Sequence, residues 1–239
     1  MKFIGFAFSC LLFFSMAAFA DDAATFNAML ALANKGDAEA QYHVGMMYNN
    51  GIGTQQDPQQ AFGWFQKSAS SNDPLGAYKL GCYYAGQFAG VVKTDENEAL
   101  KYKLVAANAG YSLAQHDVAV LFSRQGNSEE AVKWLKLAGD QGNDMSLYGL
   151  SSSYYEGKGV PQDLPLAFAY FKLSLMTSQT ELNDRTKAVL DEMIGKMSAA
   201  ELDKAQKMVS EWKPQPTALT IKAMGGIVEA EEYLQKTKQ

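Results

Sequence analysis

Cysteine, histidine and runs of positive charge are scarce in this chain, and each scarcity removes a class of function. Cysteine occurs twice, at Cys10 and Cys82. Cys10 lies inside an apolar N-terminal run that is expected to be removed, which leaves Cys82 alone and no internal disulfide. A lone thiol in an exported chain is expected to be buried. Histidine also occurs twice, at His43 and His116, in different parts of the sequence and without the H-E-x-x-H or cysteine spacing of a zinc site. No metal or cofactor is expected. Lysine and arginine total 21 against 26 acidic residues, and no basic stretch tracks a phosphate backbone, so nucleic acid is excluded as a main ligand. No G-x-S-x-G elbow is present, and Gly157-Lys158-Gly159 reads as a turn rather than a phosphate loop.

The N-terminal 20 residues form the one long apolar run. Lys2, the greasy stretch 3–14 and the small-x-small site Ala18-Phe19-Ala20 before Asp21-Asp22 read as a secretory signal peptide over 1–20. Removing it leaves 20 basic against 26 acidic residues, and no remaining run spans a bilayer. No stable membrane insertion is expected after cleavage.

What is present is a paragraph repeated four times. The marker Gly45 recurs as Gly81, Ala119 and Ser151, with Tyr48, Tyr84, Phe122 and Tyr154 three residues further on. Asp57, Asp95, Asn127 and Asp163 follow, each four residues before an alanine: Ala61, Ala99, Ala131 and Ala167. Three beyond each alanine stands a ring: Trp64, Tyr102, Trp134 and Tyr170. Apolar residues at helical spacing around the marker predict a helix A. Gly51 and Gly53 end it in the first copy, and the Asp or Asn caps a helix B. Glu98 and Glu130 are expected to complete capping boxes. The alanine permits close helix approach and the ring fills space between units, so Trp64 and Trp134 are core residues. A period of this length predicts an all-α solenoid.

These residues resemble the Sel-one-like repeat, a relative of the tetratricopeptide repeat. The first copy carries Ala40, Val44-Gly45, Tyr48, Gly51, Gly53, Asp57, Ala61 and Trp64; the fourth carries Leu150, Tyr154, Gly157, Gly159-Val160, Asp163 and Ala167. The third departs most, with a shortened loop at Ser123–Gly126. The resemblance implies a right-handed α-solenoid of four hairpin repeats over 37–179 (37–72, 73–110, 111–142 and 143–179). A capping helix is expected within 21–36, capping helices within 180–213, and a flexible or loosely docked tail over 214–239. In the capping region, Ser198 with Glu201 predicts a capping box before the apolar face Leu202, Ala205, Val209 and Trp212.

The resemblance also implies a binding surface on the concave, helix-A side. The family's groove positions fall on Tyr42, Met46 and Asn49; Tyr78, Cys82 and Ala85; His116, Val120 and Ser123; and Tyr148, Ser152 and Tyr155. The first column is a stripe of rings that serves either partner contact or packing between neighbouring A helices. The function implied is an exported, non-catalytic scaffold or adaptor binding a protein or peptide in the bacterial envelope, periplasmic in location. The alternatives are an envelope enzyme acting on peptidoglycan or β-lactam-like substrates, and a secreted factor binding host proteins. Relatives with β-lactam activity carry a cysteine pair in every repeat, which this chain lacks.

Overall fold

The computed structural model describes residues 22–180 and 183–237, and the expected signal peptide lies outside them. Among the described residues the chain is all-helical, without strands. The helices are α1 (22–33), α2 (Ala38–Asn50), α3 (Pro58–Ser70), α4 (Pro74–Tyr84), α5 (Glu96–Asn108), α6 (Ser112–Arg124) and α7 (Ser128–Asp140). They continue with α8 (Asp144–Glu156), α9 (Leu164–Thr177), α10 (Asp184–Gly195), α11 (Ala199–Glu211), α12 (Ala218–Met224) and α13 (Gly226–Lys236). Two compact units result. One is the chain up to Tyr102 together with the segment from Gly225 onward; the other is Lys103–Met224.

Each repeat is a hairpin closed by the same backbone tie. The amide of the helix-B cap donates to the carbonyl of the ring three past the marker: Asp57 to Tyr48, Asp95 to Tyr84, Asn127 to Phe122 and Asp163 to Tyr154, all at 2.9 Å. The cap side chains then accept from the first-turn amides of α3, α5, α7 and α9. The expected boxes at Glu98 and Glu130 are replaced by i,i+3 pairs with Lys101 and Lys133. On exposed helix faces such pairs compete for the carboxylate and contribute a few tenths of a kcal/mol, about 0.2–0.5.

Small residues set how closely the two helices approach. Ala61, Ala99, Ala131 and Ala167 are all buried. A Cβ at Gly45 would lie 2.6 Å from the Phe65 ring, so the marker position in the first repeat admits no side chain. Ser151 uses the same proximity differently, donating its hydroxyl to the Ala167 carbonyl at 2.8 Å. Rings lock the outer ends of the hairpins: Tyr84 stacks on Tyr102 and Tyr154 on Tyr170, each with centroids 5.7 Å apart. Successive hairpins stack through α3 with α4 and α7 with α8. This is the α-solenoid architecture.

After its repeats the second unit continues with α10, packed on α9, and α11, also on α9. The capping box at Ser198 and Glu201 forms, and Ala205 is buried with Leu202 and Val209 beside it.

The segment expected to be a loose tail is instead folded. Within the second unit, Gln215 N–H donates to the Asp140 carbonyl at 2.8 Å. Thr217 Oγ1 donates to the Gly110 carbonyl at 2.9 Å, and the Thr217 amide donates to Gln141 Oε1 at 3.0 Å. Within the first unit, α13 buries Ala230 and Leu234 among α1 and α2 residues. Proline at 214 and 216 stops α11 but leaves the chain extended, with the backbone donors of Gln215 and Thr217 free to bond the turns they cross.

Candidate functional site

The helix-A positions carried over from the family fall into two groups. In the first unit, Tyr42 is buried, its ring against Phe65 (6.3 Å) and His43 (5.2 Å). Asn49 is buried too, accepting from the Tyr83 hydroxyl at 3.0 Å and donating to Asn50 at 2.7 Å. Met46, Tyr78 and Cys82 are half-buried, so the expected burial of the Cys82 thiol is incomplete. Tyr42 and Asn49 hold the repeat together and present little to a partner.

In the second unit the same positions open onto a groove. Between α6 and α8 a cavity of about 350 Å³ is lined by His116, Val120, Ser123, Tyr148 and Ser152. A second cavity, of about 590 Å³, is lined by Tyr148, Ser152, Tyr155 and residues of α9 and α10, including Phe171 and Val189. The two share Tyr148, Ser152 and Glu156, so they form one groove along α8. Tyr148 is 58 % exposed at its centre. Its ring meets Phe171 at 6.1 Å, as Tyr42 meets Phe65, yet here α10 leaves the outer face of the ring open.

Hydrogen bonds fix several of these side chains. His116 Nδ1 lies 2.9 Å from Ser146 Oγ. Burial pushes the imidazole below its ordinary pKa, with Lys103 adding to the effect and Asp117 and Asp144 opposing it. Ser146 is fully buried, so the pair is a packing contact and supplies no accessible nucleophile. The Tyr155 hydroxyl donates to Glu192 at 2.6 Å, and Lys196 donates to both, at 2.8 Å to Tyr155 and 2.7 Å to Glu192. Lys196 and then Tyr155 hold the Glu192 carboxyl below the usual carboxylate range. Glu156 accepts from Ser152 at 2.9 Å.

Lys158 and Arg185, at the two ends of the groove, have no ion-pair partner among the described residues. The sequence alone marks Lys158 only as part of a turn and places Arg185 only within the capping region 180–213. Lys158 has no acid at i±3 or i±4 in the sequence, a signal that no repeat pattern reveals. Among the described residues, no cluster of three His, Cys, Asp or Glu side chains could hold a metal. None of the described helices is long and apolar enough to cross a membrane.

Residues 38–73, 74–111, 112–143 and 144–176 each match the Sel1 repeat. The chain belongs to the Sel1 repeat family. The matched segments coincide with the hairpins α2–α3, α4–α5, α6–α7 and α8–α9; each starts one residue later than the boundary read from the sequence, and the last ends at 176 rather than 179. A putative sel1-like repeat-containing protein of Acanthamoeba polyphaga mimivirus is 33% identical over 130 residues, covering 54% of this chain and 23% of that protein. The DAP3-binding cell death enhancer 1 of Mus musculus is 25% identical over 173 residues, covering 72% of this chain and 34% of that protein. The chain thus spans a quarter to a third of the length of these curated relatives. The crystal structure of a Sel1 repeat protein from Oxalobacter formigenes superposes with a TM-score of 0.60 at 26% identity, over 78% of this chain and 75% of that one. Sel1 repeats form scaffolds typical of protein–protein interaction and are generally non-catalytic.

Proposed function

We propose that this Sel1 repeat protein is an exported adaptor that binds a protein or peptide partner in the bacterial envelope, through the groove along α8. The observation that carries the reading is the gathering of His116, Ser123, Tyr148, Ser152 and Tyr155 around one open groove, with a largely exposed tyrosine at its centre. A half-exposed ring with a polar tip gives large contact area at low entropic cost. Serine hydroxyls on both sides suit the backbone of an extended segment. The acids of the groove are already engaged, Glu156 by Ser152 and Glu192 by Lys196 and Tyr155. Among the described residues three charges of the groove lack an ion-pair partner, and two of them, Lys158 and Arg185 against Glu156, are positive, in a chain of net charge −5. A partner segment bearing carboxylates complements that arrangement.

The test begins with a photo-crosslinking residue placed at 148 and, as a control, at the exposed position 204, in intact cells. The adduct formed at 148 and absent at 204 is identified by mass spectrometry, and the captured protein is purified and titrated. Equal capture at both positions sinks the reading.

A further inference from the structure

The last helix of the chain lies on the first two. Ala230 and Leu234 of α13 are buried in one cluster with Met29, Ala33, Ala40 and Val44, and Ile227 and Tyr233 pack against it. The Tyr233 hydroxyl donates to Asp37 Oδ2 at 2.8 Å, on the same carboxylate whose other oxygen caps α2.

Three observations mark this fit as incomplete. First, Ala230 and Leu234 are the only residues of α13 that are buried, and Val228 is 55 % exposed. Second, His43 is 4 % exposed with its ring 6.2 Å from Tyr233, and its Nε2 has no hydrogen-bond partner among the described residues. Glu39 Oε1, at 3.8 Å, stays outside hydrogen-bonding reach. A buried polar atom without a hydrogen-bond partner is unfavourable, and α13 does nothing to relieve it. Third, the charges do not complement. The surface under α13 is ringed by Asp37, Glu39 and Asp73, which act together on the Tyr233 hydroxyl, while α13 brings Glu229, Glu231 and Glu232 against a single base, Lys236, which pairs with Glu232 of the same helix. The helix is joined to the chain at Gly225-Gly226, where Gly226 adopts φ +58°, a conformation open to glycine at little cost.

We propose that the α1–α2 face is a docking site for a basic amphipathic helix of a partner protein, and that α13 is its resident, displaceable occupant. The partner helix carries the α13 stripe of apolar and small residues, spaced as at 227, 230, 233 and 234. It places lysine or arginine where α13 has glutamate, and a hydroxyl or amide oxygen within reach of His43. Helix-in-groove recognition of this kind is read from such spaced anchors, and the acidic rim supplies steering toward a basic ligand. This surface is separate from the groove along α8, so either reading can fail alone.

The probe is a fluorescein-labelled peptide of residues 225–239 with Glu229, Glu231 and Glu232 replaced by lysine, titrated into the full chain. It is compared with the native-sequence peptide and with a scrambled peptide of the same basic composition. The lysine peptide is expected to bind at least about tenfold more tightly than both, a difference of about 1.4 kcal/mol. Its binding should strip hydrogen-exchange protection from the amides of 227–236, and Asp37→Asn with Glu39→Gln should weaken it. Leu234→Asp, which evicts α13, should tighten it. Equal binding of the scrambled peptide, or full protection of α13 in the complex, overturns the proposal. So does no binding by the Leu234→Asp chain when its helical signal is intact. Should that variant fail to fold, the wild-type comparison of the three peptides decides alone. A mass of two chains in light scattering of the wild type would give the face to a second copy's helix and also overturn it.

Discussion

Thr220 Oγ1 accepts from the backbone amide of Ser112 at 3.0 Å, across 108 residues of sequence. The bond fills a gap in the repeat. Asp37, Asp73 and Asn143 cap α2, α4 and α8 with their own side chains, but the equivalent residue before α6 is Tyr111, which makes no such bond. Thr220 is 5 % exposed and also donates to Gln141 Oε1 at 2.6 Å. A remote segment therefore does for the third repeat what a neighbouring residue does for the others.

Thr220→Val keeps the shape and removes the oxygen, leaving the Ser112 amide buried without a partner. The expected loss is about 1–3 kcal/mol, measured by urea denaturation. Thr220→Ser should stay close to the wild type, because it keeps both bonds.

Gly45→Ala sets a methyl 2.6 Å from the Phe65 ring. Overpacking at a seam of two helices costs about 1–3 kcal/mol. Combining it with Phe65→Leu should recover part of that loss, a non-additivity readable in a double-mutant cycle.

Gly157 and Gly159 both have positive φ, 69° and 75°, but only the second is sterically pinned. A Cβ at Gly159 would lie 2.4 Å from the Ser128 carbonyl oxygen, whereas the nearest atom to one at Gly157 is 3.5 Å away. Gly159→Ala should destabilise by at least about 1 kcal/mol more than Gly157→Ala, since backbone atoms cannot rotate away. Thermal unfolding of the two variants gives the comparison.

His116 is held below its ordinary pKa of 6.5 mainly by burial. In the unfolded chain it takes up a proton near pH 6.5; in the folded chain it does so only at lower pH. The unfolded state thus binds more protons in that interval, and stability falls as pH drops below about 6.5 until the folded group also titrates. His116→Gln should flatten this part of the stability–pH curve between about pH 6.5 and 5, above the range in which ordinary carboxylates titrate. Parallel curves for variant and wild type would contradict the assignment.

The repeat was legible because its signals are local. A cap lies within three residues of the amides it satisfies, so Asp57, Asp95, Asn127 and Asp163 announce four helices without help from the rest of the fold. The buried alanines follow from the same register. The capping role of Thr220 is illegible for the opposite reason, since nothing near Tyr111 names its substitute. The tail illustrates the boundary well. Ile227 to Leu234 shows a helical period, but the acceptor for Tyr233 stands 196 residues earlier, at Asp37. The ring column is a third case. Tyr42 and Tyr148 occupy the same position and meet equivalent phenylalanines, yet one is buried and the other open. Exposure depends on what stands beside the hairpin, and α10 breaks the repeat spacing beside α8.

The central claim is that a partner lies along α8 against Tyr148, and the affinity of the crosslinked partner for Tyr148→Ala tests it most directly. The account predicts at least about a tenfold weaker Kd, as for a hot-spot ring, with Lys158→Ala and Arg185→Ala weakening it further at low salt. The circular dichroism and melting of the variant should match the wild type, because the Tyr148 ring is largely exposed. Unchanged affinity in a folded Tyr148→Ala chain would contradict the account.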